Sequence, residues 1–488
     1  MLLGAKSNLL LFFIFSISTA DLYICNGTNT ISAPANLNPT IFYPSSWNES
    51  QIVPRYQINQ ECRWNIEVPQ GYFASLSLFS ETQSNSSLQL IYSNGMIDNV
   101  QIGTAEDDPY YFLAPKFSIV LEANSLGKLA FSIRYNEMPT FNPDNHLLTL
   151  TNPEIIFDLT ACVITAPTSQ VSLIASSADT NLFYSYIRLF VVFDGSSPNA
   201  TNLGNLYQVL TSGKQLVSSS KTLTVMNLKP KVYSSTTLGN YILVQDYSNV
   251  KQFARYRLAN CLGADCYFNV DATNGTSAIV SVSKSISYLK SLNISQTSNL
   301  DVYYGSIKSS NLVNSYNSKS FGFPQELNNY ITTFVLDSKT ALLEVTYGNS
   351  VTTWDWNKAN NNRTGYITSP NFGISSVNQT VIETISGDDF YNYTTKVINH
   401  GLVGNATLQI STFDKSGNIL EDHHHNKTNP PSTNQSFVHP GKTMSIVYKT
   451  NGEMTNGFLM DFSIVKISEN ATGILMLWIS FVVSLLFL

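Results

Sequence analysis

The chain has 488 residues, of which 43% are hydrophobic and only 12% charged, about half the usual quarter. Packed cores are within reach of such a composition, and Asn, with 50 copies, joins Ser and Thr in wetting the surface. Lys plus Arg total 27 against 33 Asp plus Glu, a formal charge of −6, so no basic stripe exists to neutralise phosphates and nucleic acid is excluded as a partner.

Residues 1–20 read as a secretory signal peptide: Lys6, an apolar stretch from Leu9 to Ile17, then small Ser18 and Ala20 before the expected cut. From residue 62 onward the chain runs as short alternating stretches such as Ser75–Leu78, Lys128–Ile133 and Thr222–Val225. Turn clusters such as Ser93-Asn94-Gly95 and Asp194–Pro198 separate them. No window of helical period rivals these, so the fold class is all-β, with antiparallel β-sandwiches as the expected architecture. Cys62-Arg-Trp-Asn-Ile-Glu67 recurs as Cys266-Tyr-Phe-Asn-Val-Asp271, and Cys162–Pro167 echoes Trp64–Pro69 with Cys162 in the aromatic position. Four units follow: 21–137, 138–258, 259–352 and 353–468. The tail 469–488 reads as a lipid-anchor signal that is removed. Its apolar end, Ile474–Leu488, is too short at about 1.5 Å per residue to cross a hydrocarbon core of about 30 Å, and no Lys or Arg follows it. Small Asn470, Ala471, Thr472 and Gly473 precede it as anchor-site candidates; a short spanning helix is the alternative.

An exported chain makes its N-x-S/T sequons usable. They stand at Asn26, Asn48, Asn85, Asn199, Asn274, Asn293, Asn362, Asn378, Asn392, Asn405, Asn426 and Asn434, with a further one at the anchor candidate Asn470. Six fall between Asn362 and Asn434 and none between Asn85 and Asn199, which predicts a sugar-clothed membrane side and a barer distal side. Export also favours paired thiols, and five cysteines leave one over.

Three segments resemble the CUB domain. Ile187–Gly195 with Leu203-Gly204 and Ser218–Val225 is similar to its second half, Gly365–Phe372 to its opening strand, and Asn456–Phe462 to its closing strand. Unit 21–137, with Tyr43–Trp47, Cys62-Arg63-Trp64, Val68–Tyr72 and Pro109–Phe112, most resembles the CUB-like domain of nematode surface proteins. The second and third units are degenerate, the third most. The resemblance implies two-sheet sandwiches of jelly-roll type on a lipid-anchored protein of the outer cell surface, often in membrane rafts and associated with innate defence. It implies a Cys25–Cys62 disulfide, a repeat of it as Cys261–Cys266, and Cys162 as a buried free thiol. Many CUB domains hold calcium through an Asp six residues before the turn Asp, but here the counted positions are Arg188, Leu88 or Ser87, Ser298 and Leu408, none a carboxylate, so no calcium site is expected.

The remaining candidates read as structural. In Glu421-Asp422-His423-His424-His425 only His423 and His425 would share a strand face, and Lys427 with sequons Asn426 and Asn434 crowds the segment, so an exposed loop without a metal is expected. Adjacent Asp388 and Asp389 point apart on a strand and read as a solvated turn. Trp354, Trp356, Tyr366 and Phe372 read as core rather than a ligand-stacking face. The sequence has no GxSxG, HExxH or GxGxxG motif and calls for no cofactor. The reading is a non-enzymatic binding protein for an extracellular protein or glycan, microbial or host. A structural glycoprotein coat of the apical membrane is the second reading, and a secreted hydrolase the third, lacking a positioned nucleophile and base.

Overall fold

Alternation decides the first strands. Along Gln60–Glu67, Cys62, Trp64 and Ile66 are buried while Glu61, Arg63 and Glu67 are exposed, the period of two that buries one face of a strand. The computed structural model describes residues 22–25, 27–83, 85–100, 109–176, 186–230, 241–259, 265–283, 286–347, 356–370 and 372–467. They fall into two compact units, divided after Thr140.

The first unit is a sandwich. One sheet orders Gly27–Ile31, Gln60–Glu67, Lys116–Ala123, Ser87–Ile91 and Ile97–Asn99, the first pair parallel. The other orders Leu22–Tyr23, Arg55–Tyr56, Gly127–Glu137, Tyr72–Glu81 and Tyr110–Leu113, with Ile41–Tyr43 also pairing on Gly127–Glu137. Trp64 is fully buried between the sheets, meeting Tyr43 and Phe131 edge-on at ring distances of 5.1 and 5.6 Å. Edge-on aromatic pairs are worth about 0.5–1.5 kcal/mol beyond the area they bury.

The second unit repeats this strand order. Its first module sets Asp144–Leu147, Ala161–Thr165, Thr222–Asn227, Phe190–Asp194 and Thr201–Asn205 against Glu154–Ile156, Tyr241–Asp246, Val171–Ser176 and Leu216–Val217. The next sets Arg255–Leu258, Ser277–Val282, Ile331–Leu336, Asn299–Tyr304 and Leu312–Asn317 against Asp265–Ala272, Lys339–Tyr347, Ser287–Ile294 and Gln325–Leu327. In each, as in the first unit, a parallel pair opens the five-stranded sheet. Two expectations are corrected here. Arg255–Leu258 belongs to the third module, so the break at 258/259 comes too late in the chain. The echo between Cys62–Glu67 and Cys266–Asp271 joins non-equivalent strands: the address of Gln60–Glu67 is filled by Ser277–Val282, while Asp265–Ala272 edges the opposite sheet. Any half-buried strand alternates, so a cysteine and an aromatic two residues apart do not reveal its neighbours.

The fourth module is one continuous sheet ordered Arg363–Thr368, Leu459–Lys466, Thr380–Asn399, Ser436–Lys449, Thr407–Phe413 and Ile419–His425. Thr380–Asn399 runs 20 residues and slips register between Ser386 and Tyr391. Its first part pairs with residues 443–449 and its second with 436–441 and the 459–466 strand. Two strand pairs that are separate in the other modules are thus fused, each crossing from one half-sheet to the other. The halves close on one core that holds Val381, Ile385, Tyr393, Met444, Tyr448 and Ile464. Gly387 marks the corner, where a Cβ would lie 2.5 Å from the Tyr391 ring; bulges and strand glycines serve tight bends of this kind.

Cores run across module borders. Ile174 and Leu243 pack with Tyr256, Val280 and Ile331, and Tyr366, Phe372 and Leu459 enter the third module's core. A helix hidden by the strand pattern, Leu206–Ser212, starts from an Asn205/Gln208 capping box and ends at Gly213 with φ 62°, each a signal present in the sequence.

Candidate functional site

Cys25 sits two residues before the strand that pairs with Gln60–Glu67, where Gly27 faces Cys62. The Cys25–Cys62 disulfide follows from that register, with a Cα–Cα distance of 5.6 Å and both residues buried. The Cys25 N–H and the Gln60 side-chain oxygen add a 2.9 Å hydrogen bond. Cys266 is also held in a disulfide, and Cys261 lies outside the described residues. Cys162 is a free thiol, fully buried, and burial pushes its pKa up to about 12, which removes the thiolate that nucleophilic chemistry needs.

Asn26, the anchor candidates Asn470, Ala471, Thr472 and Gly473, and Trp354 lie outside the described residues. Asn48, Asn85, Asn199, Asn274, Asn293, Asn362, Asn378, Asn405, Asn426 and Asn434 are exposed and Asn392 is half-buried. No described helix is long and apolar enough to cross a membrane. At the counted calcium positions Leu88, Ser298 and Leu408 are buried, and the buried Arg188 guanidinium lies 4.0 Å from the Tyr207 ring centre. Trp356, Tyr366 and Phe372 are buried. Asp388 and Asp389 stand inside Thr380–Asn399, with Asp389 2.7 Å from the Lys466 ammonium.

The Glu421–His425 segment is a strand, not a loop. Ile419–His425 pairs with Thr407–Phe413, Glu421 opposite Thr412 and His423 opposite Ile410. Thr412 and Ile410 are buried, and directly opposed residues share a face, so Glu421 and His423 turn inward at the sheet edge. The facing half-sheet brings His439, which the sequence reading missed. Its Nδ1 lies 2.8 Å from Glu421 Oε2, the His423 Nε2 lies 3.3 Å from the same oxygen, and the His rings are 5.2 Å apart. His439 is buried and its Nε2 lies 3.0 Å from the Thr395 hydroxyl. His425, the expected partner of His423, instead places Nδ1 3.3 Å from the Asn429 carbonyl.

Two further features are polar. The buried Glu326 accepts from Tyr288, the half-buried Glu383 accepts from the Trp356 indole N–H at 2.9 Å, and burial followed by mutual repulsion raises the Glu326 carboxyl above its usual range. Burial raises Glu383 likewise. A cleft of about 450 Å³ is lined by amides and hydroxyls including Asn152, Asn311, Ser375 and Asn456, and by the Lys308 amine. Asn311 donates to the Tyr304 carbonyl at 2.8 Å and the Ser306 hydroxyl at 3.0 Å, and a Cβ on Gly373 would strike it at 2.5 Å.

The strand order shared by the modules joins a match of sequence at the first unit. Residues 20–139 match the CUB-like domain family. Residues 149–228 and 248–348 match two domain families of unknown function, the second beginning before Arg255, where the sheet pairing of the third module starts. No curated protein matches the chain. Among solved structures the chain is similar to the CUB1-EGF-CUB2 domains of rat MASP-1, at 7% identity over 43% of this chain and 99% of that one, TM-score 0.16. The corresponding human MASP-1/3 domains give 8%, 41%, 93% and 0.18. The full extracellular region of zebrafish Gpr126/Adgrg6 gives 10%, 68%, 54% and 0.18.

Proposed function

We propose that the protein is a non-enzymatic recognition protein of the outer cell surface, built from four sandwiches of CUB-like strand order and held by a lipid anchor. The observation that carries this reading is the disulfide-stapled CUB-like domain at residues 20–139. A role in innate defence rests on the resemblance to nematode surface proteins alone. The amide- and hydroxyl-lined cleft offers hydrogen-bond partners suited to a glycan, since a few placed polar groups fix the orientation of a bound ligand. The exposed sequons between Asn362 and Asn434 favour the second reading, a sugar coat that shields the membrane.

Glycan and microbial-surface arrays probed with the purified protein separate the two. Saturable, sugar-selective binding supports recognition, and uniform background supports the coat. Phosphatidylinositol-specific phospholipase is expected to release the protein from cells; retention, with the 474–488 peptide recovered by mass spectrometry, contradicts the anchor.

A further inference from the structure

We propose that Glu421, His423 and His439 form a binding site for a divalent transition metal of the zinc class, at the open edge between the two half-sheets of the fourth module. Two imidazoles and one carboxylate are a donor set that suits zinc, whereas calcium and magnesium require mostly oxygen. The fold builds the set from both half-sheets. Glu421 and His423 alternate on the inward face of the edge strand Ile419–His425, and His439 comes from the segment that pairs with Tyr393 in the other half.

Close approach of the halves is enforced two residues beyond His439. A Cβ at Gly441 would lie 3.0 Å from the Thr412 Cβ, and Thr412 is the residue opposite Glu421. Missing a side chain, Gly441 lets the edges meet and brings His439 within reach. Zinc takes its ligand atoms at about 2.0–2.2 Å in a tetrahedron, which separates them by about 3.3 Å. The three ligand atoms lie within 4.8 Å of one another, two of the separations being 2.8 and 3.3 Å, so small side-chain movements complete the geometry.

The surroundings also fit a metal ligand set. The Thr395 hydroxyl, 3.0 Å from His439 Nε2, fixes the ring with Nδ1 toward Glu421, the outer-shell contact that orients ligating imidazoles. On the Glu421 side, the Thr412 hydroxyl is fully buried and has no hydrogen-bond partner, a spare donor where a second carboxylate oxygen would need one. His423 and Glu421 are partly exposed, with side-chain exposures of 46% and 33%, while His439 is only 6% exposed. The fourth coordination position therefore faces solvent and is open to water or to a donor group of a bound partner.

Calorimetric titration of the full-length purified protein with zinc chloride, after dialysis against chelator, tests the site. One saturable zinc per chain is expected, with no such isotherm for calcium. Glu421→Gln and His423→Ala each weaken it at least tenfold, the usual scale for losing a ligand or its support. Cobalt bound in its place should give the d–d absorption of a tetrahedral site, lost in the same variants. His423 and Glu421 sit at the surface, so these variants keep the fold, and a melting curve matching the parent without metal checks this. His424, 68% exposed and paired with Asp422 at 2.9 Å, is the control: His424→Ala leaves binding unchanged. Absence of a saturable zinc isotherm, binding that survives both ligand variants, or binding lost with His424→Ala overturns the proposal. None of these results bears on array binding, so this inference and the proposed function fail separately.

Discussion

At Cys25, one bond fixes the entry of the chain into the first sandwich. The disulfide closes a separation of 37 residues, and its loss is expected to cost about 2–5 kcal/mol. Cys162→Ser replaces a buried thiol without opening a loop and should cost less. Calorimetry checks both: Cys25→Ser lowers the melting transition of the first unit and leaves that of residues 141–488 in place, while equal shifts of the two would contradict it. Glu326 and Glu383 give a second residue-scale test. Burial raises both carboxyls in the folded state, whereas the unfolded chain ionises in the ordinary carboxylate range. The folded state therefore holds protons that the unfolded state releases, so the contribution is fully present below the ordinary carboxylate range and is lost as pH rises from that range up through the raised folded-state pKa. Glu326→Gln should stabilise the protein at about pH 7.5 and change little at about pH 4. Equal effects at both, measured by denaturant titration, would show that the pair is not held protonated.

The strands were legible in the sequence where one face meets a core, as along Gln60–Glu67, because burial imposes a period of two. Their addresses were not, because period two is the same in every sheet. Cys266 shows this: its pattern copies that of Cys62, yet its strand stands in the opposite sheet. The histidine cluster failed for a related reason. Glu421 and His423 are near neighbours in sequence, but His439 comes from a facing half-sheet, brought close by the corner at Gly387 and the close approach at Gly441. That corner can be tested. Gly387→Val drives a Cβ to within 2.5 Å of the Tyr391 ring, and overpacking of this kind costs about 1–3 kcal/mol. The fourth module should lose stability by that amount in denaturant titration, and a neutral variant would show that the bend does not need the glycine.

Across the whole molecule the sandwiches differ in how they are joined. The first unit has its own core, whereas the three modules after Thr140 share cores across their borders and should melt as one cooperative block. That block carries the amide-lined cleft, and a rigid, low-charge frame suits recognition through hydrogen bonds in a fixed geometry, since preorganised groups lose little freedom on binding. The central claim is recognition at the cell surface, and a glycan selected on the arrays tests it most directly when titrated against the immobilised protein. The account predicts a saturable isotherm that free glycan competes away and that Asn456→Ala in the cleft weakens. A linear, non-competed response equal for unrelated glycans would contradict it.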